Sequence, residues 1–224
     1  MMTEQKKFKS QAGVTLIELM IGLVVGLIVL SGIGYAYIVT FKSSRDIIYS
    51  ARLNQELAAV TSIIVGDIRR AGHWRQGASD TTPYDEIGED IIRVSSTCLL
   101  YSYDANEDGS NVIGSDELRG VKLDGGAIWL KASGGNMTAC NVGTWEAVTD
   151  LNFMTVTGVS FADSSLCKED GITAACPASM AAASGAVASV REIDIQISAQ
   201  VNNDSDWQAT VQESVRIRND FFAE

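Results

Sequence analysis

Three sets of residues in this chain have the types and spacing to do chemistry. The first is Asp104-Ala105-Asn106-Glu107-Asp108-Gly109, which sets Asp104, Asn106 and Asp108 at alternate positions ahead of a glycine. Oxygen ligands at the first, third and fifth positions, with a sharp turn at the sixth, form the first half of a calcium loop. An EF-hand would carry its closing glutamate where Ser115 stands, so Asp116 or Glu117 would have to close a shorter, irregular site. The same residue types also build solvated Asx turns, and both readings stay open. The second set is Cys98, Cys140, Cys167 and Cys176. An even count without a C-x-x-C pair points to disulfides rather than zinc, with free core thiols as the alternative. Three pairings are open; we favour Cys167–Cys176 as a short staple, leaving Cys98 to Cys140. The third is Glu18, a carboxylate set inside an apolar run. Burying it in a bilayer costs roughly 2.5–3.5 kcal/mol, which calls for a cationic partner.

None of these sets forms a catalytic centre. Nucleophilic catalysis needs a base beside a serine or thiol, and the one histidine, His73, reads as a packed helix-end residue. P-loop, dinucleotide-binding and H-E-x-x-H patterns are absent from the sequence. We therefore expect no enzyme activity and no required cofactor, with calcium the one candidate ion.

The elements that must hold these residues divide the chain sharply. Its 224 residues carry a net charge of −11, yet mean hydropathy is +0.10. From Leu19 to Phe41 no residue is charged, whereas from Lys42 onward there are 14 basic and 26 acidic residues, a net of −12. Those 23 uncharged residues would span about 34 Å as a helix, enough for a bilayer core. The acidic remainder lacks the basic footprint that direct nucleic-acid binding requires. Beyond Phe41, Leu53, Leu57, Val60, Ile64, Ile68 and Ala71 recur at helical spacing, so one unbroken helix is expected from Val14 to Ala71. Strand signals follow over 91–103, 118–123, 127–131 and 151–161. Asp124-Gly125-Gly126 reads as a hairpin turn, and alternation over 193–201 and 207–217 predicts a C-terminal hairpin. Residues 171–189, rich in Ala, Ser and Gly, read as an irregular loop.

The junction between the basic leader and the apolar run is Gly13-Val14-Thr15-Leu16-Ile17-Glu18. It resembles the processing site of type IV prepilins. That resemblance implies cleavage between Gly13 and Val14 by a prepilin peptidase and N-methylation of Val14. It also implies that Glu18 pairs with the N-terminal amine of a neighbouring subunit and so sets register. Val14 stands where phenylalanine or methionine is commoner, and Tyr35 where major pilins often carry a helix-kinking proline. Asp67-Ile68-Arg69-Arg70-Ala71-Gly72-His73-Trp74 resembles a segment of PilW-like minor pilins, and Val215–Asn219 resembles their terminal strand. J-type minor pseudopilins of type II secretion carry something similar.

The implied fold is α+β, a pilin-like ladle with one long N-terminal helix packed on an antiparallel β-sheet domain. Its parts would be a leader over 1–13, a membrane or filament-core half-helix over 14–41, an amphipathic half-helix over 42–72, and a β-rich domain over 73–224. The implied function is that of a minor pilin in an initiation or tip complex, joined to other minor and major pilins through its N-terminal helix. It would sit in the inner membrane with a periplasmic ectodomain before assembly, and in the pilus afterwards. A J-type pseudopilin is the alternative, followed by a stand-alone calcium-binding anchored adhesin.

Overall fold

The computed structural model describes residues 13–75, 92–110, 112–169, 172–175, 187–202, 204–218 and 221–223. The leader before Gly13, the connection over 76–91 and Cys176 lie outside them. The chain divides into two compact units, Met1–Ile48 and Tyr49–Glu224.

A single helix, α1, runs from Leu16 to Ile68. Its start is written in the sequence. The Glu18 amide donates to Thr15 Oγ1 at 3.3 Å, so Thr15 caps the first turn and Glu18 falls at the third helical position. Thr-x-x-Glu is the capping-box pattern, and a carboxylate there also complements the helix dipole. No proline interrupts the helix. It ends in tight turns, in which Arg70 N donates to Asp67 O and Ala71 N to Ile68 O, and Gly72 N then bonds to Ser102 O at 2.8 Å.

Within the first unit, the helix carries no charged residue from Leu19 to Phe41 and is open to its surroundings there. The span most able to cross a membrane is not buried at all within the structure. A soluble helix buries one stripe, whereas an all-apolar helix needs lipid or other helices around it.

In the second unit, Leu53, Leu57, Val60, Thr61, Ile64 and Ile68 form the buried stripe. They pack into one core with residues of two antiparallel sheets, among them Leu99, Tyr101, Met154, Ile193 and Ile197. The first sheet is a meander of β1 (Ile92–Ser95), β2 (Cys98–Ser102), β3 (Leu118–Asp124), β4 (Ala127–Ser133) and β5 (Thr144–Ala147). The second orders β11 (Asp204–Arg216), β10 (Glu192–Val201) and β6 (Met154–Asp163). A third, small sheet orders β12 (Phe221–Ala223), β9 (Val187–Val190), β7 (Leu166–Glu169) and β8 (Ile172–Ala175). A long N-terminal helix packed on antiparallel sheets is the pilin-like α+β arrangement. Gly125 and Gly126 both take positive φ, 57° and 78°, between the paired ends Asp124 and Ala127. Two left-handed residues in a two-residue loop make the turn whose twist matches its strands.

Strand β2 is buried along its whole length because the sheet has a core on each face. Leu99 and Tyr101 face the helix, whereas Cys98 and Leu100 join Leu118 and Met137 in a smaller cluster. Gly120 lets the chains close there, since a Cβ would sit 2.8 Å from Leu100 Cδ2. The Cys98–Cys140 disulfide lies in this second cluster, with a Cα–Cα distance of 6.5 Å. Closing a loop of 42 residues removes unfolded-state entropy worth about 4 kcal/mol on the chain-entropy model. Cys167 is also disulfide-bonded, and the Cys167–Cys176 pairing falls on a partner outside the described residues.

Two sequence expectations need correction. The run 91–103 is not one strand, because a turn at Ser96-Thr97 folds it into β1 and β2. The stretch 171–189 is not wholly irregular, since 172–175 and 187–190 are strands of the third sheet. Their Ala- and Ser-rich sequences show no alternation, and pairing with β7 supplies what propensity does not.

Candidate functional site: the helix start and the helix-exit loop

The processing segment is presented openly. Gly13, Val14 and Thr15 precede the first helical turn and are exposed, Val14 to 71%. A non-helical, accessible peptide bond is what a protease needs, and Gly13–Val14 is one. A Cβ built on Gly13 meets nothing within 4 Å, so the fold itself makes no demand for glycine there. We therefore predict that Gly13→Val leaves the ectodomain folded and its membrane insertion unchanged. It should abolish cleavage, so that the chain accumulates as a precursor still carrying residues 1–13. Mass spectrometry of the purified chain reads this directly; mature, methylated Val14 in the variant would refute it.

Cleavage also changes the electrostatics of the helix start. A new ammonium group at Val14 would lie one residue before the cap, at the positive end of the helix dipole. Glu18, exposed in the first turn, is the nearest acidic residue in sequence that could offset it, its own or a neighbour's.

At the other end of the helix, the structure gathers residues far apart in sequence. Tyr103 and Asp104 follow β2, and antiparallel pairing of Ser102 with Leu118 sets Glu117 beside them. Asp104 is fully buried and Glu117 is 1% exposed. The Asp104 amide donates to His73 O at 2.8 Å, and Asp104 Oδ2 accepts from Arg75 N at 3.2 Å. Trp74 Nε1 donates to Ser110 O at 2.7 Å and Arg75 Nη1 to Glu107 O at 3.0 Å. The loop thus holds the chain as it leaves the helix. His73 itself is exposed, so the expectation of a packed histidine is wrong; its backbone, not its ring, does the joining.

Of the expected calcium ligands, Asp104 and Asp108 come together, and Glu117 joins them. One carboxylate oxygen from each lies within 4.8 Å of the others. Asn106 spends its side chain inside the loop, where Oδ1 accepts from Asp108 N at 3.0 Å and Nδ2 donates to Asp108 Oδ2 at 3.1 Å. Burial, followed by the nearby charges of Asp104, Asp108 and Asp116, pushes the Glu117 carboxyl above its usual range; an opposing amide bond from Gly114 does not cancel this.

A third constellation was not visible in the sequence. Asp67, on the last turn of α1, accepts from Tyr101 Oη at 2.5 Å and Tyr103 Oη at 2.7 Å, one per oxygen. It lines an open cleft with Arg70, Arg119, Lys131 and Glu146. Lys131 is buried and donates to Asn136 O at 3.1 Å; desolvation lowers its ammonium below the usual lysine range. The two bonds of Asp67 tie helix to sheet.

Residues 8–34 match the model of the prokaryotic N-terminal methylation motif, which contains Gly13, Val14 and Glu18. Residues 46–217 match the model described as prepilin peptidase-dependent protein B. Neither a curated protein nor a solved structure matches the chain. The two models cover the helix start and nearly all of the second unit, so the protein is of the pilin or pseudopilin type, processed by prepilin peptidase. With most of its length matched, the chain belongs to the prepilin peptidase-dependent protein B family.

Proposed function

We propose that this chain is a minor pilin of a type IV pilus, similar to PilW, acting in the complex that initiates the filament and stays at its tip. It acts by assembly and not by catalysis. One observation carries the reading: a processing site and a capped first turn open an apolar helix that has no cover of its own. Such a helix rests in the inner membrane until it is extracted, with the acidic domain on the periplasmic side. It then packs among the helices of other minor and major pilins, where burial of its apolar surface supplies cohesion.

The test is deletion of the chain, followed by shearing of surface filaments and assay of secreted protein in parallel. Loss of filaments with secretion intact, and copurification of the tagged chain with other minor pilins, is the expected result. Loss of secretion with filaments intact would make the chain a J-type pseudopilin instead. Filaments and secretion both unchanged, with adhesion lost in the absence of calcium, would favour the stand-alone adhesin.

A further inference from the structure

We propose that Asp104, Asp108 and Glu117 form a calcium site that locks the helix-exit loop. The reason is an imbalance that the protein alone leaves in place. Asp104 Oδ1 and Glu117 Oε1 are both buried without a hydrogen-bond partner, in side chains that are 0% and 1% exposed. Each buried, unsatisfied carboxylate oxygen is costly, and two beside a third carboxylate are costlier still. No ion pair found among the described residues reaches any of the three. A cation is the group that would satisfy them.

The chemistry selects its type. All three ligands are hard carboxylate oxygens, which suit calcium or magnesium rather than zinc or copper. Two oxygens across one calcium ion stand up to about 4.8 Å apart, at about 2.4 Å from the metal. The three carboxylates lie within that span already. Magnesium requires about 2.1 Å and a near-ideal octahedron, so the same groups would have to move inward. Water completes the shell at the exposed side, where Asp108 lies.

The site would also do mechanical work. Asp104 holds His73 and Arg75 through its backbone and its Oδ2, and Ser110 and Glu107 hold Trp74 and Arg75. A cation bridging Asp104 and Asp108 to Glu117 ties this loop to the first residue before β3. The departure of the chain from the helix is then fixed to the sheet by the ion. The inference does not depend on which filament the chain enters.

The experiment uses the full chain in detergent micelles, melted in calcium chloride, in magnesium chloride and in EGTA. Calcium near a hundred times its Kd should raise Tm by about 5–10 °C over EGTA, with magnesium giving little. Glu117→Gln should abolish the calcium shift and the calorimetric binding heat, while melting in EGTA no lower than wild type because a repulsion is gone. Asp108→Asn, at an exposed position, should weaken calcium at least tenfold with the fold unaffected. Asp206→Asn, an exposed acid on β11, should keep the full shift. Equal melting of wild type in calcium and EGTA would overturn the site. So would an equal shift with magnesium, a full shift in Glu117→Gln, or loss of the shift in Asp206→Asn.

Discussion

Glu18→Ala is expected to leave membrane insertion intact and to cut incorporation into filaments about a hundredfold. A carboxylate in an apolar segment costs roughly 2.5–3.5 kcal/mol, so its removal eases insertion. In the proposed filament the balance would reverse. On the proposed assembly, the processed Val14 amine of an adjacent subunit would then sit among apolar helices with no counter-charge, at a penalty of similar size. About 1.4 kcal/mol is a factor of ten, so two decades of incorporation follow. Alanine keeps the amide bond from residue 18 to Thr15 Oγ1, so the helix start itself stays capped. Glu18→Gln isolates the charge, because glutamine keeps the size and polarity of the side chain and the same backbone cap. Both variants should reach the membrane at wild-type level and be missing from sheared filaments, read as the ratio of the two fractions. Wild-type incorporation of Glu18→Gln would remove the charge pair from the account.

What was legible in the sequence had a local or strictly periodic signature. The processing site lies in six consecutive residues, and Thr15 and Glu18 carry the start of the helix within them. The stripe from Leu53 to Ile68 and the alternation from Ile193 to Val201 each mark one buried face, and the helix and β10 occupy those positions. What stayed hidden depends on register between distant segments. The sequence left Asp116 and Glu117 as alternatives for closing the Asp104 loop, and it is the pairing of β2 with β3 that brings Glu117 to Asp104. Strand β2 gave no alternation because both of its faces are buried, so its apolar run merged with β1. Glu213 shows the opposite effect. It occupies the same strand face as Val211 and Val215, opposite Ile195, yet is exposed because β11 is an edge strand. A charge on the inward register of an edge protects it from pairing with other strands, which is why the pattern breaks there.

Asp67→Ala is expected to destabilise the second unit by about 3 kcal/mol, an effect out of proportion to a single half-buried helix residue. The carboxylate accepts from two tyrosines at once, and Tyr101 is fully buried while Tyr103 is 3% exposed. Alanine would leave both hydroxyls inside the interface without an acceptor, at about 1–3 kcal/mol each before relaxation. Asp67→Asn keeps one acceptor oxygen and should lose about half as much. Tyr101→Phe removes the donor along with its need and should cost about 1 kcal/mol. A double-mutant cycle of Asp67→Asn with Tyr101→Phe should therefore show strong coupling. The pH dependence gives an independent reading. Burial first, then the Asp67 carboxylate, raises both hydroxyls, Tyr103 to about 12 and Tyr101 well above the usual tyrosine range. A tyrosine near 10 in the unfolded chain and higher in the fold favours the fold while neutral. That stabilisation is complete below pH about 10 and is lost as the pH rises from there through about 12. Denaturant melts of the wild type should hold steady up to pH about 10 and then fall, with two tyrosines ionising only as the fold opens. Two hydroxyls titrating near 10 in the folded protein, or an Asp67→Ala variant as stable as wild type, would show that the helix is held by its apolar stripe alone.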